Sequence, residues 1–357
     1  MKKLATLLLL AVAPLGAHAT SGPAPMLHAK SAVVYDINAH KALLEKNPDE
    51  VMPLASMTKL MTAMVALDQN PALDETLVVS GEDVDHLKHS ASRVPVGTQL
   101  ERKEMLRLAL MSSENRSASA VSRNALPGGL PTFVASMNQK AQALGMTHTH
   151  FDDSTGLSPQ NVSTANDVVK MADAASHYAL IHQFTTLTHY DEDVGTRKLS
   201  YHNSDPMVGR PGWDIQLSKT GFTNEAGRCV VVKVNMPTGP VVIALMGADT
   251  SGGRSSDMIA IRNWLEGKPA TFAPRLFYAG AKTGGRHAII AARAASGRKP
   301  VMLASARPGH GVRTGHVAIA QATERSSNIR LVAYSGRSAP RFHPHKAKSG
   351  KHRRYSA

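Results

Sequence analysis

The chain has 357 residues, of which 42% are hydrophobic and only 4% aromatic, so aliphatic side chains must fill the core of one large or two modest domains. The net charge is +14, but positions 268–357 hold 18 Lys and Arg residues and one acidic residue, a charge of +17, which leaves −3 for the rest. The single cysteine, Cys229, excludes an internal disulfide and a cysteine-based metal site. We expect no metal, no cofactor and no nucleic-acid partner.

The first twenty residues predict export from the cytoplasm. Two lysines precede an apolar run from Leu4 to Ala13, and Ala17-His18-Ala19 fits a small-residue cleavage site. The run is about ten residues long, whereas a membrane-spanning helix needs about 20. We therefore predict a signal peptide at 1–19 and a periplasmic mature protein, in preference to a membrane anchor.

A β-hairpin and a helical region follow the signal peptide. Ser31–Tyr35 and Ala42–Leu44 are β-type runs that predict the hairpin. From Leu54 to Leu67 apolar residues recur at helical spacing, which predicts a buried central helix. Further helices are predicted at Arg102–Met111, at Ser117–Asn124, at Phe133–Leu144 with Gly145 as its end signal, and at Thr164–Ala175 with Thr164 as its cap.

The pattern changes to strands after Trp213. Three Val- and Ile-rich runs predict strands at Ile215–Thr220, Arg228–Val234 and Val241–Gly247, and a helix is predicted at Ser255–Glu266. The predicted fold class is therefore α/β. An antiparallel sheet is flanked by helices, and a mostly helical subdomain is inserted between its early and late strands.

Beyond residue 267 the composition changes again. Gly, Arg, Ala, Ser and His dominate, and the segment from His343 to Arg354 is nearly pure basic low-complexity sequence. We predict a catalytic domain at 20–267 and a disordered basic extension at 268–357. The extension could bind anionic envelope polymers, giving a loose association with the envelope, or it could only increase solubility. Both interpretations stay open.

The first chemical motif is Ser56-Met57-Thr58-Lys59. Positions i and i+3 of a helix are neighbours, so the lysine amine can reach the serine hydroxyl. A serine hydroxyl becomes a good nucleophile when a base takes its proton, and a lysine can do so if partial burial and a nearby positive charge lower its pKa. The same pattern recurs at Ser296–Lys299 without an apolar helix behind it, so the motif alone is not specific.

Two further motifs follow in the chain. Ser113-Glu114-Asn115 lies between two predicted helices, where Ser113 can act as a proton relay and Asn115 can hold a substrate peptide bond. Lys219-Thr220-Gly221 ends a predicted strand that can pair with an extended peptide and place a cation beside its carboxylate. Gly221 lets a second backbone approach closely.

The order of the three motifs, at 56, 113 and 219, is their most informative property. Ser-x-x-Lys, Ser-x-Asn and Lys-Thr-Gly together form the signature of penicillin-binding proteins and class A β-lactamases. The copies in the basic extension, Lys282-Thr283-Gly284 and Ser296–Lys299, occur in the reverse order. The ordered set predicts a serine acyl-transfer site on Ser56.

From about Lys30 to Pro269 the sequence resembles the serine D-Ala-D-Ala peptidases of the low-molecular-mass penicillin-binding protein family, which includes DD-endopeptidases and DD-carboxypeptidases. Glu114 followed by Asn115-Arg116 resembles the endopeptidase branch, whereas many carboxypeptidases have Gly-Asn-Asp there. Besides the three motifs, the segments that carry the resemblance are PLASMTKLMT (53–62), STGLSPQNVSTA (154–165) and TGFTNEAGRC (220–229).

The resemblance implies roles for individual residues. Ser56 would attack a D-Ala carbonyl in a peptidoglycan stem peptide, with Lys59 as base and Ser113 as relay to the leaving amine. Lys219 would help to keep Lys59 neutral and bind a substrate carboxylate, and the backbone N–H groups of Ser56 and Phe222 would form the oxyanion hole. β-Lactam antibiotics would acylate Ser56. The implied substrate-binding residues are Asn115, Lys219, Thr220, Gly221 and Phe222.

The preferred function is hydrolysis of DD cross-links, and three alternatives stay open. A DD-carboxypeptidase would remove the terminal D-Ala instead. A β-lactamase would need a water-activating carboxylate, and the sequence contains no Glu-x-x-Leu-Asn segment. A non-catalytic wall-binding protein or β-lactam sensor would not need the complete set of Ser56, Lys59, Ser113 and Lys219.

Overall fold

The structure is a computed structural model that describes residues 22–268, which form both helices and strands. The strands are β1 (Ser31–Asp36), β2 (Lys41–Lys46), β3 (Met52–Pro53), β4 (Thr76–Val78), β5 (Gln99–Glu101), β6 (Val162–Ser163), β7 (His189–Val194), β8 (Arg197–His202), β9 (Asp214–Thr223), β10 (Gly227–Met236) and β11 (Gly239–Ala248). The helices are α1 (Thr58–Asp68), α2 (Arg102–Met111), α3 (Asn115–Arg123), α4 (Gly129–Ala143), α5 (Ala165–Ser176), α6 (Ala179–Thr186) and α7 (Ser251–Leu265).

An antiparallel sheet of five strands, in the order β2-β1-β11-β10-β9, supports the described part of the chain. In its centre, Val231 of β10 pairs with Ala244 of β11 and with Lys219 of β9. Alternate residues point to opposite faces, and both faces of β10 are apolar. Val231 contributes to the core shared with α1 and α5, whereas Val230 and Val232 pack with α7. The sheet is therefore buried between helices on both sides.

Helix α1 runs through the helical half and is buried all around. Its residues Leu60, Met61 and Met64 have no exposed surface. A helix that is apolar on every side is typical of a central position, as the sequence predicted. The predicted start at Leu54 is wrong, because a 3₁₀ turn at Ala55–Met57 precedes the α-helix.

The predicted α/β fold with a helical insert is confirmed, and several element ends agree with the sequence. The bounds of α2 are those predicted, and the Thr164 hydroxyl accepts a hydrogen bond from the Asp167 N–H, 3.2 Å away, at the start of α5. Gly145 ends α4 with φ +68°. Helix α3 begins at Asn115, two residues before the predicted Ser117, so Asn115 is in its first turn.

Sequence patterns missed α6 and the hairpin of β7 and β8. In β7 the inward-facing positions include the ionisable residue Glu192 as well as Val194, so the strand has no clean alternation of apolar and polar residues. In β8 Tyr201 is buried, but its neighbours Ser200 and His202 are exposed. This hairpin packs beside α2 and extends the helical half.

The predicted signal peptide at 1–19 lies outside the described residues, and so does the basic extension apart from Lys268. The second copies of two motifs, at 282–284 and 296–299, also lie there, and the domain boundaries at 20, 267 and 268 stay predictions. Within residues 22–268, no helix combines the length and apolar character needed to cross a membrane.

Candidate active site

Ser56 and Lys59 meet at the start of α1. Ser56 lies in the 3₁₀ turn and is partly exposed, whereas Lys59 is in the first turn of the α-helix and only 1% exposed. Lys59 Nζ is 3.0 Å from Ser56 Oγ. The expected pairing of a hydroxyl with a buried amine is present, with only the hydroxyl reaching the surface.

The turn that carries Ser56 has an unusual backbone. Ala55 has φ +46°, in the left-handed region. Gly156, with φ +84°, packs directly against it, and a Cβ at position 156 would overlap the Ala55 carbonyl oxygen. A local glycine contact therefore helps to hold Ala55, and with it Ser56, in this conformation.

The Lys59 amine has three partners. Besides Ser56 Oγ, Nζ lies 2.7 Å from Asn115 Oδ1 and 2.7 Å from the Thr155 carbonyl oxygen. Those two oxygens can only accept, so they take two N–H groups of Lys59. The third position on the Lys59 nitrogen points to Ser56 Oγ. If Lys59 is protonated, it donates a hydrogen bond there. If Lys59 is neutral, its lone pair can accept the hydroxyl proton. The geometry is compatible with a base that takes the proton of Ser56.

Burial lowers the pKa of Lys59 to about 8, although the carboxylates of Asp153 and Glu114 act in the opposite direction. From the sequence we expected partial burial and nearby positive charge to lower this pKa, with Lys219 helping to keep Lys59 neutral. Lys219 has no exposed surface, and its own pKa is held well below the ordinary value by burial first and by the positive charge of Lys59 second. Burial is therefore the main cause at both lysines.

Ser113 and Lys219 form the second hydroxyl–amine pair. Ser113 has φ +65° in the link between α2 and α3, which turns its side chain towards β9. Lys219 Nζ lies 2.9 Å from Ser113 Oγ and 3.1 Å from the Thr220 carbonyl oxygen. The helical half and the sheet thus each contribute one member of this pair.

Five residues of the predicted set line one cavity of about 290 Å³: Ser56, Ser113, Thr220, Gly221 and Phe222. A Cβ at Gly221 would lie 3.0 Å from the Leu54 carbonyl oxygen and 3.2 Å from the Ser56 nitrogen. The small residue therefore lets β9 approach the turn that carries Ser56.

Asn115 lies between Lys59 and Ser90. Its Oδ1 accepts from Lys59, and its Nδ2 donates to Ser90 Oγ over 2.9 Å. One amide proton remains for a substrate carbonyl. In the structure Asn115 contacts Lys59 directly, and its role in holding the substrate stays a prediction.

Several supporting residues were not predicted as site residues, although Thr155 and Asn161 lie in the segment 154–165 that carries the family resemblance. The Asp153 carboxylate accepts from four backbone N–H groups and organises the loop whose Thr155 carbonyl contacts Lys59. Asn161 binds the Asp153 carbonyl and the Thr58 hydroxyl, and so ties this loop to α1. Because these contacts join distant segments, often through backbone atoms, the residue types alone do not identify them.

Four further residues line the cavity and were not predicted: Ser204, Arg228, Ser251 and Arg254. Ser204 Oγ lies 2.7 Å from Thr220 Oγ1. Arg228 belongs to the segment 220–229 that carries the family resemblance, which is the only signal that could have identified it. The Ser122-Arg123-Asn124 copy of the second motif is structural, because Ser122 is buried against Ser154.

A larger cavity, of about 350 Å³, lies beside β1 and α5 and includes none of these residues. His148, Asp167 and Lys170 are among the residues that line it. It contains no serine–lysine pair, so we place the chemistry in the smaller cavity. In the described part of the chain, no three or more His, Cys, Asp and Glu side chains are arranged to hold a metal ion.

Comparison with known proteins places these observations in a family. Residues 18–250 match the model of the D-alanyl-D-alanine carboxypeptidase family. The chain is 43% identical over 248 residues to a D-alanyl-D-alanine endopeptidase of Pseudomonas aeruginosa, covering 68% of this chain and 79% of that protein. It is 42% identical over 255 residues to the Escherichia coli protein of the same name, covering 70% and 81%.

A solved structure supports the fold. The Streptomyces K15 DD-transpeptidase aligns with 69% of this chain and 99% of its own, with a TM-score of 0.64 and 23% identity. The family match and the two bacterial relatives confirm the resemblance inferred from the ordered motifs, and with it a serine hydrolase that acts on peptidoglycan and has a penicillin-binding fold. This chain belongs to the D-alanyl-D-alanine carboxypeptidase family of serine peptidases.

Proposed function

We propose that the chain is a serine D-alanyl-D-alanine endopeptidase that hydrolyses DD cross-links of peptidoglycan through an acyl-enzyme on Ser56. The observation that carries the proposal is the 3.0 Å contact between Ser56 Oγ and the buried amine of Lys59. The two relatives named D-alanyl-D-alanine endopeptidase support the choice of the cross-link as substrate.

In the acylation step Lys59 takes the hydroxyl proton as Ser56 Oγ attacks the carbonyl carbon of a D-Ala residue. The backbone N–H groups of Ser56 and Phe222 stabilise the negative charge that develops on the carbonyl oxygen. Ser113, hydrogen-bonded to Lys219, passes its proton to the leaving amine and regains one from Lys59, so that Lys59 is neutral again when the acyl-enzyme has formed. The C–N bond then breaks, and the acyl group remains as an ester on Ser56.

Hydrolysis of that ester completes the cycle. A water attacks the ester carbonyl, Lys59 accepts the water proton, and the same proton returns to Ser56 Oγ as the ester breaks. The products are one stem peptide with a free D-Ala carboxylate and one with a free amine. Asn115, Thr220 and Gly221 position the peptide, and a β-lactam would acylate Ser56 in the same way as the substrate.

DD-carboxypeptidase activity is the second candidate. A pentapeptide and a cross-linked dimer present the same D-Ala carbonyl to Ser56 and differ only in the leaving amine. A non-catalytic wall-binding role or a sensor role is the third candidate, and the assembled Ser56–Lys59 and Ser113–Lys219 pairs argue against it.

The test uses the purified mature chain, residues 20–357, with cross-linked muropeptide dimers and with pentapeptide monomers. We expect dimers to give monomers, and we expect Ser56→Ala to abolish this reaction. Ser136→Ala, which removes a hydroxyl from the surface of α4, is the control and should retain it. Release of D-Ala from pentapeptides without cleavage of dimers would show a carboxypeptidase instead of an endopeptidase. If the wild-type chain catalyses neither reaction, the non-catalytic role is favoured.

The periplasm is the proposed location, supported by the apolar run and the cleavage site near the N-terminus. We also propose that the extension at 268–357, with 18 basic residues and one acidic residue, binds anionic polymers of the envelope. The measurement compares wall retention at low salt of the mature chain and of a chain that ends at Pro269. Equal retention would rule out this role for the extension.

A further inference from the structure

Arg228 and Phe222 form a stacked pair at the wall of the active-site cavity. They are opposite each other in the register of β9 and β10, and both line the cavity with Ser56. The Arg228 guanidinium carbon lies 3.5 Å from the centre of the Phe222 ring, and Phe222 is 45% exposed. A large apolar side chain is thus kept at the surface beside the nucleophile, with a cation on its face.

The stacking leaves the polar edge of Arg228 available. A guanidinium that lies flat on a ring uses its face for that contact, whereas its N–H groups point outward along its edge. Among residues 22–268, the Arg228 guanidinium contacts the Phe222 ring, and no carboxylate forms an ion pair with it. The planar fork of an arginine fits a carboxylate through two parallel hydrogen bonds.

A second cation lies deeper in the same cavity. Arg254 of α7 is 7% exposed, and its Nη1 donates to the Cys229 carbonyl oxygen over 3.3 Å. The carboxylate whose charge acts on it, Asp205, already accepts hydrogen bonds from Ser218 and from the Met207 N–H. The cavity therefore presents two guanidinium groups, one buried and one at the rim, with no ion-pair partner in the described chain.

Two cations at two depths match the charges of a cross-linked substrate better than those of a pentapeptide. The leaving D-Ala of a pentapeptide has a single carboxylate, next to the scissile amide. The leaving half of a cross-link through diaminopimelate has a carboxylate at the equivalent place and continues into a second stem peptide, which carries further carboxylates. Only the cross-link offers a partner for both arginines from its leaving half.

We propose that Arg228 is a specificity-determining residue that binds a second carboxylate in the leaving half of a cross-linked dimer and so favours endopeptidase over carboxypeptidase cleavage. This inference rests on the proposed function. Phe222 supports the role by holding the guanidinium at the rim of the cavity. The acyl half is common to both substrates, so a contact made only by the leaving half changes the rate on one substrate and not on the other.

The test measures kcat/KM of Arg228→Gln for diaminopimelate-linked muropeptide dimers and for pentapeptide monomers with the same acyl half. We expect the value for dimers to fall about tenfold, as for loss of one partly exposed charge-assisted interaction. For pentapeptides, and for acylation by labelled penicillin, the change should be less than about twofold, as for a partly exposed charge that these two ligands leave without a partner. Phe222→Leu should also lower the value for dimers more than that for pentapeptides.

The control is Arg262→Gln. Arg262 also stacks on an aromatic ring, with its guanidinium carbon 5.2 Å from the centre of the Trp213 ring, but it does not line the cavity. It should change neither rate. If Arg228→Gln lowers the rates on dimers and on pentapeptides equally, Arg228 supports the site or binds the acyl half instead. If the rate on dimers is unchanged, Arg228 does not bind the leaving half. Failure of the wild-type protein to cleave dimers would refute the proposed function itself.

Discussion

The amine of Lys59 is held where burial and neighbouring charges act on its pKa in opposite directions. Burial disfavours the ammonium form, whereas the carboxylates of Asp153 and Glu114 favour it. Burial prevails, and the pKa falls to about 8. A useful fraction of Lys59 is therefore neutral at mildly alkaline pH, while its contacts with Asn115 and Thr155 keep it beside Ser56.

The rate of acylation should follow this pKa. Only the neutral amine accepts a proton, so we expect the rate constant for acylation by labelled penicillin to rise with pH to a plateau above about 8. Below the pKa the rate should fall about tenfold per pH unit. Lys59→Arg should remove most activity, because a guanidinium stays protonated. If the acylation rate keeps rising until the pH approaches 10.5, the ordinary pKa of lysine, the assignment of this pKa to Lys59 is contradicted.

At the residue level, the sequence predicted which side chains are neighbours where their spacing along the chain determines the distance between them. Ser56 and Lys59 could be paired because they are three positions apart at the start of a helix. Ser113 and Lys219 are 106 positions apart, and only the ordered motif signature connected them. Arg254 and the Thr155 carbonyl could not be predicted, because the contacts they make depend on how α7 and a loop pack in three dimensions.

At the scale of elements, the loop that contains Gly156 shapes the turn that carries Ser56. The Asp153 carboxylate fixes the loop through backbone hydrogen bonds, and Gly156 fits against Ala55 where a larger residue would overlap its carbonyl group. The strained backbone at Ala55 is thus supported from outside its own helix.

Gly156→Ala should damage both stability and activity. The added Cβ overlaps the Ala55 backbone, and alanine at φ +84° costs about 1–2 kcal/mol by itself. We expect a lower Tm and a more than about tenfold slower acylation by penicillin, since Ser56 must move. The control is Gly145→Ala, where φ is +68° but a Cβ meets nothing within 4 Å. Equal effects of the two substitutions would show that the contact with Ala55 is unimportant.

The hairpin of β7 and β8 is attached to α2 through charged groups. The Arg107 guanidinium carbon lies 4.0 Å from the centre of the Tyr190 ring, and Arg107 pairs with Glu104. Glu192 Oε2 is buried without a hydrogen-bond donor in the described chain, beside the Glu104 carboxyl. Two carboxylates in contact share a proton more easily than they ionise together, and burial with this neighbour raises the pKa of Glu192 to about 8.

Glu192 should make the protein less stable as pH rises. Between about 4.5, its ordinary pKa, and about 8, the folded state holds a proton that the unfolded state has lost, so the free energy of unfolding falls through this window. Glu192→Gln resembles the protonated form and should be more stable than the wild type by roughly 1–3 kcal/mol near pH 8. Urea unfolding at both ends of the window measures this. Parallel pH dependences of the two proteins would contradict the shared proton.

At the scale of the whole molecule, the described residues form the site where the five-stranded sheet and the helical half meet. The sheet contributes Lys219 and the wall of β9, α7 contributes Arg254, and the helical half contributes Ser113 and Asn115. Ser56 and Lys59 lie between them at the start of α1. Assembly of the site therefore depends on packing of both halves around α1.

The overall architecture was predictable because its main elements have clear periodicity. The Val-rich strands β10 and β11 and the apolar α1 are of this kind, since burial on both faces or on all sides requires continuous apolar sequence. The β7–β8 hairpin was not predictable, because its buried position Glu192 is stabilised by a proton and a neighbouring carboxyl rather than by an apolar side chain.

The central claim, that Ser56 is the nucleophile of a serine DD-peptidase, is tested most directly by locating the covalent adduct. The mature chain is treated with labelled penicillin, digested and mapped by mass spectrometry, with Ser56→Ala in parallel. We predict one label per chain, on the peptide that contains Ser56, and none in the variant. Label on Ser296 of the second Ser-x-x-Lys motif, or label that persists in Ser56→Ala, would contradict the account.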